Sequence, residues 1–163
     1  KNSSDSGSTW SPVKRLTWNS STSERPKIAA SGTNNIYVTW HDYKTGNYEI
    51  YYKRSTNGGS IWEATKRLTW NPTVSVRPMI SAQGNKIFIA WRDNPGADFD
   101  IFIKVSYDGG ITWNPRERVT WGVSASNLYD ILTFGPGKVT EVHIFWDEEI
   151  STNSEIYHKY GLY

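Results

Sequence analysis

Nine tryptophans fall into three registers, and each register recurs at intervals of roughly fifty residues. Trp10, Trp62 and Trp113 are 52 and 51 positions apart, and Trp18, Trp70 and Trp121 repeat the same two steps. Trp40, Trp91 and Trp146 follow at 51 and 55. Other residues keep step. "KRLTW" at 14–18 returns at 66–70 and as "ERVTW" at 117–121, and "EIYYK" at 49–53 returns as "DIFIK" at 100–104 and "EIYHK" at 155–159. A unit of this length cannot bury its own apolar surface and must stack on its neighbours. The repeat therefore limits the chain to an array of like units.

Each unit reads as four short strands. "NIYVTW" (35–40), "KIFIAW" (86–91) and "EVHIFW" (141–146) alternate with period two, so that Ile36, Val38 and Trp40 share one face. β-Branched and aromatic residues fill the runs, and Gly, Asn and Pro separate them, as in "SGTNN", "AQGN" and "FGPGK". No long helical stripe interrupts them. Strands are expected near 25–30, 35–41, 49–55, 66–70, 77–82, 86–92, 99–106, 115–121, 128–133, 140–146 and 154–160. Four strands per unit of about 50 residues is the pattern of a β-propeller blade. The expected fold is all-β, with three four-stranded blades at 19–70, 71–121 and 122–163.

The string "SYDGGITW" (106–113) lies between a third and a fourth strand. Its glycines admit positive φ, and its Asp can accept bonds from nearby backbone N–H groups to close a turn. Copies occur as Asp5, Gly7 and Trp10, and as Asn57, Gly59 and Trp62, beside Asp108, Gly110 and Trp113. The spacing S-x-D-x-G-x-T-W resembles the Asp-box of the sialidase-like, BNR-repeat propellers. The second copy departs from it with Asn57 and Ile61. The resemblance spans essentially the whole chain. It implies that these nine residues are structural and lie away from any central site. The recurring tryptophans are expected to pack between blades, His143 and His158 are expected to be packed strand residues, and His41 is expected at an exposed loop edge.

Composition excludes several classes. The net charge of +2 is spread without a basic stripe, so nucleic acid is not an expected partner. No cysteine is present, which excludes disulfides and thiolate metal sites. No apolar run approaches the roughly 18 residues of a membrane-spanning helix, and no targeting segment is recognisable at the start. No metal or cofactor is expected. Asn2 and Asn19 occupy N-x-S sequons, which permit secretion. The family resemblance implies an extracellular or cell-surface location.

In a propeller the start of the innermost strand and the end of the second meet at one mouth of the channel. Arg25 and Arg77 open the innermost strands, and Asp42, Asp93 and Glu148 follow the second. These five residues form a candidate ligand site, or alternatively an Arg–Asp scaffold within each blade. The third unit breaks the pattern, with Leu128 in the arginine register followed by Tyr129 and Asp130, and with a longer connection, "FGPGKVTE". Tyr129 joins the candidate site on that account.

Two function classes follow. The resemblance implies either a sialidase-type glycoside hydrolase or a non-catalytic binding and assembly module, with a glycan as the small ligand in both. Sialidases of this family clamp a substrate carboxylate with three arginines. Arg25 and Arg77 would match two of them, but only "ERPKI" and "VRPMI" stand where F/Y-R-I-P is usual, and Leu128 replaces the third. The non-catalytic module is the preferred reading. Residues 154–163 read as a third strand without a fourth, and residues 3–18 as a turn and fourth strand without a third. Three blades cannot close a ring. The expectation is a head-to-tail homodimer of six blades, in which strand 11–18 of one chain completes blade three of the other; the alternative is a fragment of a longer chain that carries six or more blades.

Overall fold

The computed structural model describes residues 1–96, 98–121, 125–135, 139–150 and 153–163, with the Ile150 side chain left aside. The described elements are all strands. Sheet one holds β1 (Ser23–Ser31), β2 (Asn35–Asp42), β3 (Glu49–Ser55) and β4 (Lys66–Arg67). Sheet two holds β5 (Ser75–Gln83), β6 (Lys86–Asp93), β7 (Asp100–Ser106) and β8 (Glu117–Arg118), and sheet three β9 (Ser126–Phe134), β10 (Glu141–Ile150) and β11 (Asn153–Leu162). All are antiparallel meanders in the order 1-2-3-4, 5-6-7-8 and 9-10-11. The "FGPGKVTE" connection falls partly on residues outside those described.

The fourth strands are two residues long rather than five to seven. Their ladder is cut short because a side chain takes over. Thr69 Oγ1 accepts the Ile50 N–H at 2.9 Å, and Thr120 Oγ1 accepts that of Ile101 at 3.0 Å. The neighbouring arginines reach back across the same pairs: Arg67 Nη2 meets Glu49 Oε1 at 2.9 Å, and Arg118 bonds Asp100. Residues 11–18 form no strand, because no third strand lies beside them.

The core lies between sheets. Ile87, Ile89 and Trp91 of β6 pack on Tyr37, Ile50 and Tyr52 of sheet one. Phe88, Ala90, Ile101 and Ile103, on the opposite face of sheet two, pack on Val142, Ile144 and Trp146 of sheet three. Alternation along β6 thus serves two interfaces, which is why that strand reads as continuously apolar. Each fully buried side chain of this size contributes about 1.5–3 kcal/mol.

The tryptophan registers divide in a way the repeat did not foretell. Trp40, Trp91 and Trp146 are buried, and Trp62 and Trp113 half-buried. Trp18, Trp70 and Trp121 are 65–69% exposed. Trp70 and Trp121 follow the two-residue outermost strands and Trp18 ends the strandless segment 11–18, and a lysine from the sheet that comes next in the chain covers each ring: Lys53 at 5.4 Å, Lys104 at 5.8 Å and Lys159 at 5.1 Å. Two of the three histidines are also reversed, while His143 is half-buried. His41 is buried, and His158 is exposed. Sheet two covers the former, and no sheet covers the latter.

Candidate functional site

The two ends of the sheets carry different chemistry. At one end the S-x-D turns are closed by their own side chains. Ser106 Oγ bonds Asp108 Oδ1 at 2.8 Å and accepts the Gly110 N–H at 2.8 Å, while Asp108 accepts the Thr112 N–H at 2.9 Å. Ser3, Asp5, Gly7 and Thr9 repeat the pattern, as do Ser55, Asn57 and Gly59. The Thr9 hydroxyl and N–H hold the Asp5 carboxyl at about 2. Thr112 pulls Asp108 down in the same way. Trp10 is exposed beside its turn, whereas Trp62 and Trp113 brace sheets one and two. The Asp5 and Asp108 carboxylates are thus engaged by their own turns.

The opposite end carries the arginines. Arg25 and Arg77 each sit on a β-bulge, between Glu24 and Lys27 and between Val76 and Met79, and each precedes a proline. Their φ angles are +51° and +53°. A side chain larger than Asn rarely adopts this left-handed region, and holding one there costs about 1–3 kcal/mol. A buried histidine fixes the second of these. Arg77 donates its N–H to Nδ1 of His41 at 3.0 Å, and His41 Nε2 faces Glu24 Oε2 at 3.3 Å. Burial pushes the imidazole pKa down, and the charges of Arg25 and Arg77 push the same way, against the pull of Glu24.

Beside Arg77 lies a second group of polar side chains. Arg92 of β6 is 7% exposed, stacks its guanidinium over Phe99 at 4.4 Å, and leaves Nε without a hydrogen bond. Burial and then the Arg77 charge depress its pKa, while Asp147 and Tyr129 oppose them. Asp147 Oδ2 accepts the Tyr129 hydroxyl at 3.0 Å and the Ser154 hydroxyl at 3.0 Å, and its buried Oδ1 has no partner at hydrogen-bond geometry, although, against the effect of burial, Asn127 lies close enough to lower the pKa of the carboxyl. The hydrogen bond to Asp147 raises the Tyr129 pKa. Arg77, Arg92, Tyr129 and Asp147 thus form one connected field of charge.

The carboxylates expected with the arginines lie elsewhere. Asp42 and Asp93 are buried in sheets one and two. Asp42 accepts from Ser23 Oγ at 2.7 Å, Asn19 Nδ2 at 2.8 Å and Trp40 Nε1 at 3.1 Å. Asp93 pairs with Arg116 at 2.6 Å, and Glu148 accepts from Ser126 Oγ at 3.1 Å and Trp146 Nε1 at 3.0 Å. Each carboxylate ties its second strand to the start of its own sheet. Among the described residues neither Arg25 nor Arg77 makes an ion pair, so the Arg–Asp scaffold is not formed. The sequence places His41 at a loop edge and none of His41, Arg92 and Asp147 in the site, although all three occupy the position after the buried tryptophan and differ in charge from sheet to sheet.

This end can bind anions. It presents three guanidinium groups on rigid strands, one of them desolvated, and a Tyr–Asp pair able to bond hydroxyls. Among the described residues no His, Asp and Glu cluster gathers that could hold a metal ion. Nor does any helix there have the length and apolarity to cross a membrane.

No family model matches the chain, and no curated protein matches it in sequence. Solved structures do match in fold. A family 117 glycoside hydrolase from Zobellia galactanivorans superposes over 94% of the chain with a TM-score of 0.59 at 11% identity. An α-L-arabinanase from Penicillium chrysogenum, complexed with arabinobiose, covers 79% at 0.51 and 15%. A subtype N10 neuraminidase-like protein of A/little yellow-shouldered bat/Guatemala/060/2010 covers 88% at 0.50 and 13%. The chain shares a propeller-type fold with these proteins. It spans only 57%, 41% and 44% of their respective lengths.

Proposed function

We propose that the chain is a non-catalytic carbohydrate-binding propeller module, extracellular or at the cell surface. Its arginine end receives an anionic group of a glycan. The observation that carries this is the pair formed by Arg77, held at positive φ by His41, and Arg92, buried with an unused Nε. Strained backbone and unsatisfied buried donors persist where a ligand repays them. Arg25 and Tyr129 extend the same surface. In this reading two chains close head to tail into six blades, so that the mouth is shared. Titration of the chain with acidic and neutral oligosaccharides, followed by calorimetry, tests it. Acidic glycans should bind, and Arg77→Ala should weaken them at least tenfold. Equal binding of neutral and acidic glycans, or none of either, refutes it.

A second reading is supported by the glycoside hydrolases among the structures of like fold. In that reading Asp147, bonded to Tyr129 and close to Arg92, is the candidate carboxylate. Turnover of fluorogenic sialosides or aryl glycosides that survives repurification and disappears in Asp147→Asn would replace the first reading with the second.

A further inference from the structure

Sheet three is open on a face that sheets one and two keep buried. Ile50 and Ile101 are 0% exposed, and Ile156 in the same register is 84% exposed. Tyr37 and Tyr52, stacked at 6.4 Å, are sealed between sheets one and two. Their counterparts His143 and His158, stacked at 5.0 Å and bonded Nδ1 to Nε2 at 2.8 Å, form the same pair on the open face. Leu132, Phe134, Phe145 and Tyr160 are exposed around them. Sheet one is open on its opposite face. Ile28 is 69% exposed where Ile80 is 9% and Ile131 4%. A cleft of about 450 Å³ lies there, lined by Ile28, Ile36, Gly59, Trp62 and the segment Ser11–Leu16.

The chain contains the matching joint twice. Sheet one meets sheet two, and sheet two meets sheet three, through these same two faces. At the first joint Tyr52 packs edge-on against Trp113 at 5.1 Å and closely over Gly110. Moved back by one unit, Tyr52 becomes His158, and Gly110 and Trp113 become Gly59 and Trp62, which line the open cleft. The segment 11–18 is already seated for this. Lys14 Nζ bonds the Gly59 carbonyl at 3.2 Å, as Lys66 bonds that of Gly110 at 3.1 Å. Lys53 Nζ holds the Leu16 carbonyl at 3.0 Å, as Lys159 holds that of Val119 at 3.2 Å. Arg15 Nε bonds the Thr17 carbonyl as Arg67 bonds that of Thr69. The segment holds the attitude of a fourth strand with its sheet edge free.

We infer that a second copy of the chain fills both openings through one specific seam. His143 and His158 of one copy enter the cleft lined by Ile28, Gly59 and Trp62 of the other. Residues 14–17 pair with β11, Tyr157 opposite Arg15 and His158 opposite Lys14, as Tyr51 stands opposite Arg67 and Tyr52 opposite Lys66. Arg15 then reaches Glu155 as Arg67 reaches Glu49. At the mouth, the unused Asp147 Oδ1 takes the place of His41 Nδ1 and accepts the N–H of the other copy's Arg25, so each anion site is completed by both chains. Propellers close with four to eight blades, and a pair of three-bladed chains falls within that range. The inference rests on the two-chain ring of the previous section and adds its register.

The chain lacks cysteine, so single replacements report the register directly. Chains carrying Arg15→Cys and differently tagged chains carrying Tyr157→Cys are mixed and oxidised, beside an out-of-register mixture of Arg15→Cys with Lys159→Cys. Cross-strand neighbours lie within disulfide reach, and positions two residues away do not. The mass of the unmodified chain at micromolar concentration is measured in parallel. A mass twice 18.6 kDa with cross-linking at least tenfold greater for the first mixture supports the seam. A twofold mass with equal cross-linking, or more for the second mixture, overturns the seam and leaves the ring standing. A folded monomer overturns both. Ile156→Asp and Ile28→Asp change residues exposed in the single chain, so each variant should keep its folded tryptophan fluorescence and weaken the dimer at least tenfold. Unchanged dimerisation in both also overturns the seam.

Discussion

The N–H of Arg77 donates to Nδ1 of His41 at 3.0 Å, and this bond ties the β5 bulge of sheet two to sheet one at the charged end. Because Nδ1 accepts, the ring proton sits on Nε2, where it faces Glu24. The neutral ring is the form that fits. His41→Ala removes the acceptor and the edge contact with Tyr48 at 4.8 Å. The expected loss is about 1–3 kcal/mol of stability. Urea unfolding measures it, and anion affinity should fall in the same variant because Arg77 is no longer held.

The same bond sets a pH dependence. Burial depresses the His41 pKa in the folded chain. The unfolded chain therefore takes up a proton first as pH falls, and the folded state is penalised. This stability is fully present above about pH 6.5, the ordinary imidazole value, and drains away below it. The slope is at most about 1.4 kcal/mol per pH unit. Unfolding midpoints between pH 7.5 and 5 should fall in the wild type, and the His41 component should vanish in His41→Asn.

A separate acid window belongs to the turns. Asp5 and Asp108 are held low by Thr9 and Thr112, Asp5 at about 2. A depressed carboxyl stabilises the fold above its unfolded pKa of about 3.9 and loses that contribution as pH falls toward the folded value. The turns should loosen between about pH 4 and 2. Amide exchange of Thr9 and Thr112 should accelerate there, while that of Ile61 should not, because its acceptor is the non-titrating Asn57.

Asp93 provides a test of the sheet-end carboxylates. It is buried, and burial raises its pKa against the pull of Arg116. Arg116→Met leaves that carboxylate with hydrogen bonds from Asn71 and Thr73 but no countercharge. Removing one partner of a buried pair costs about 3–5 kcal/mol, and the 39% exposure of Arg116 places the expected loss at the low end. Arg116→Met together with Asp93→Asn should recover part of it.

Much of the fold was legible because alternation and repeat length act locally. β2 and β3 lie within one residue of the expected 35–41 and 49–55. The fourth strands were not legible, because whether Thr69 Oγ1 or a backbone carbonyl meets Ile50 depends on tertiary approach. The candidate site was half legible. Arg25, Arg77 and Tyr129 stood out by register, but nothing in "ERPKI" announces φ at +51°. His41, Arg92 and Asp147 could not be ranked, because their burial comes from neighbouring sheets. The exposed tryptophans were misplaced for the same reason, since a strand edge is invisible to period-two patterning.

Gly110 and Gly7 occupy the same position of two like turns, at φ of +86° and +89°. An alanine at either pays the left-handed backbone penalty of about 1 kcal/mol. Their surroundings differ. A methyl group on Gly110 would overlap the Tyr52 hydroxyl and lie 2.7 Å from its Cζ, whereas on Gly7 the nearest atom is Trp10 Cζ2 at 3.9 Å. Tyr52 cannot retreat, because it is wedged between Tyr37 and Trp113 in the joint of sheets one and two. Overpacking adds about 1–3 kcal/mol in such a setting. Gly110→Ala should therefore destabilise the chain by at least twice as much as Gly7→Ala in urea unfolding. Tyr52→Phe removes a buried hydroxyl that has no hydrogen-bond partner, so it should leave stability unchanged or raise it, and it should recover part of the Gly110→Ala loss. Equal losses for the two alanine variants would show that the joint yields around Tyr52.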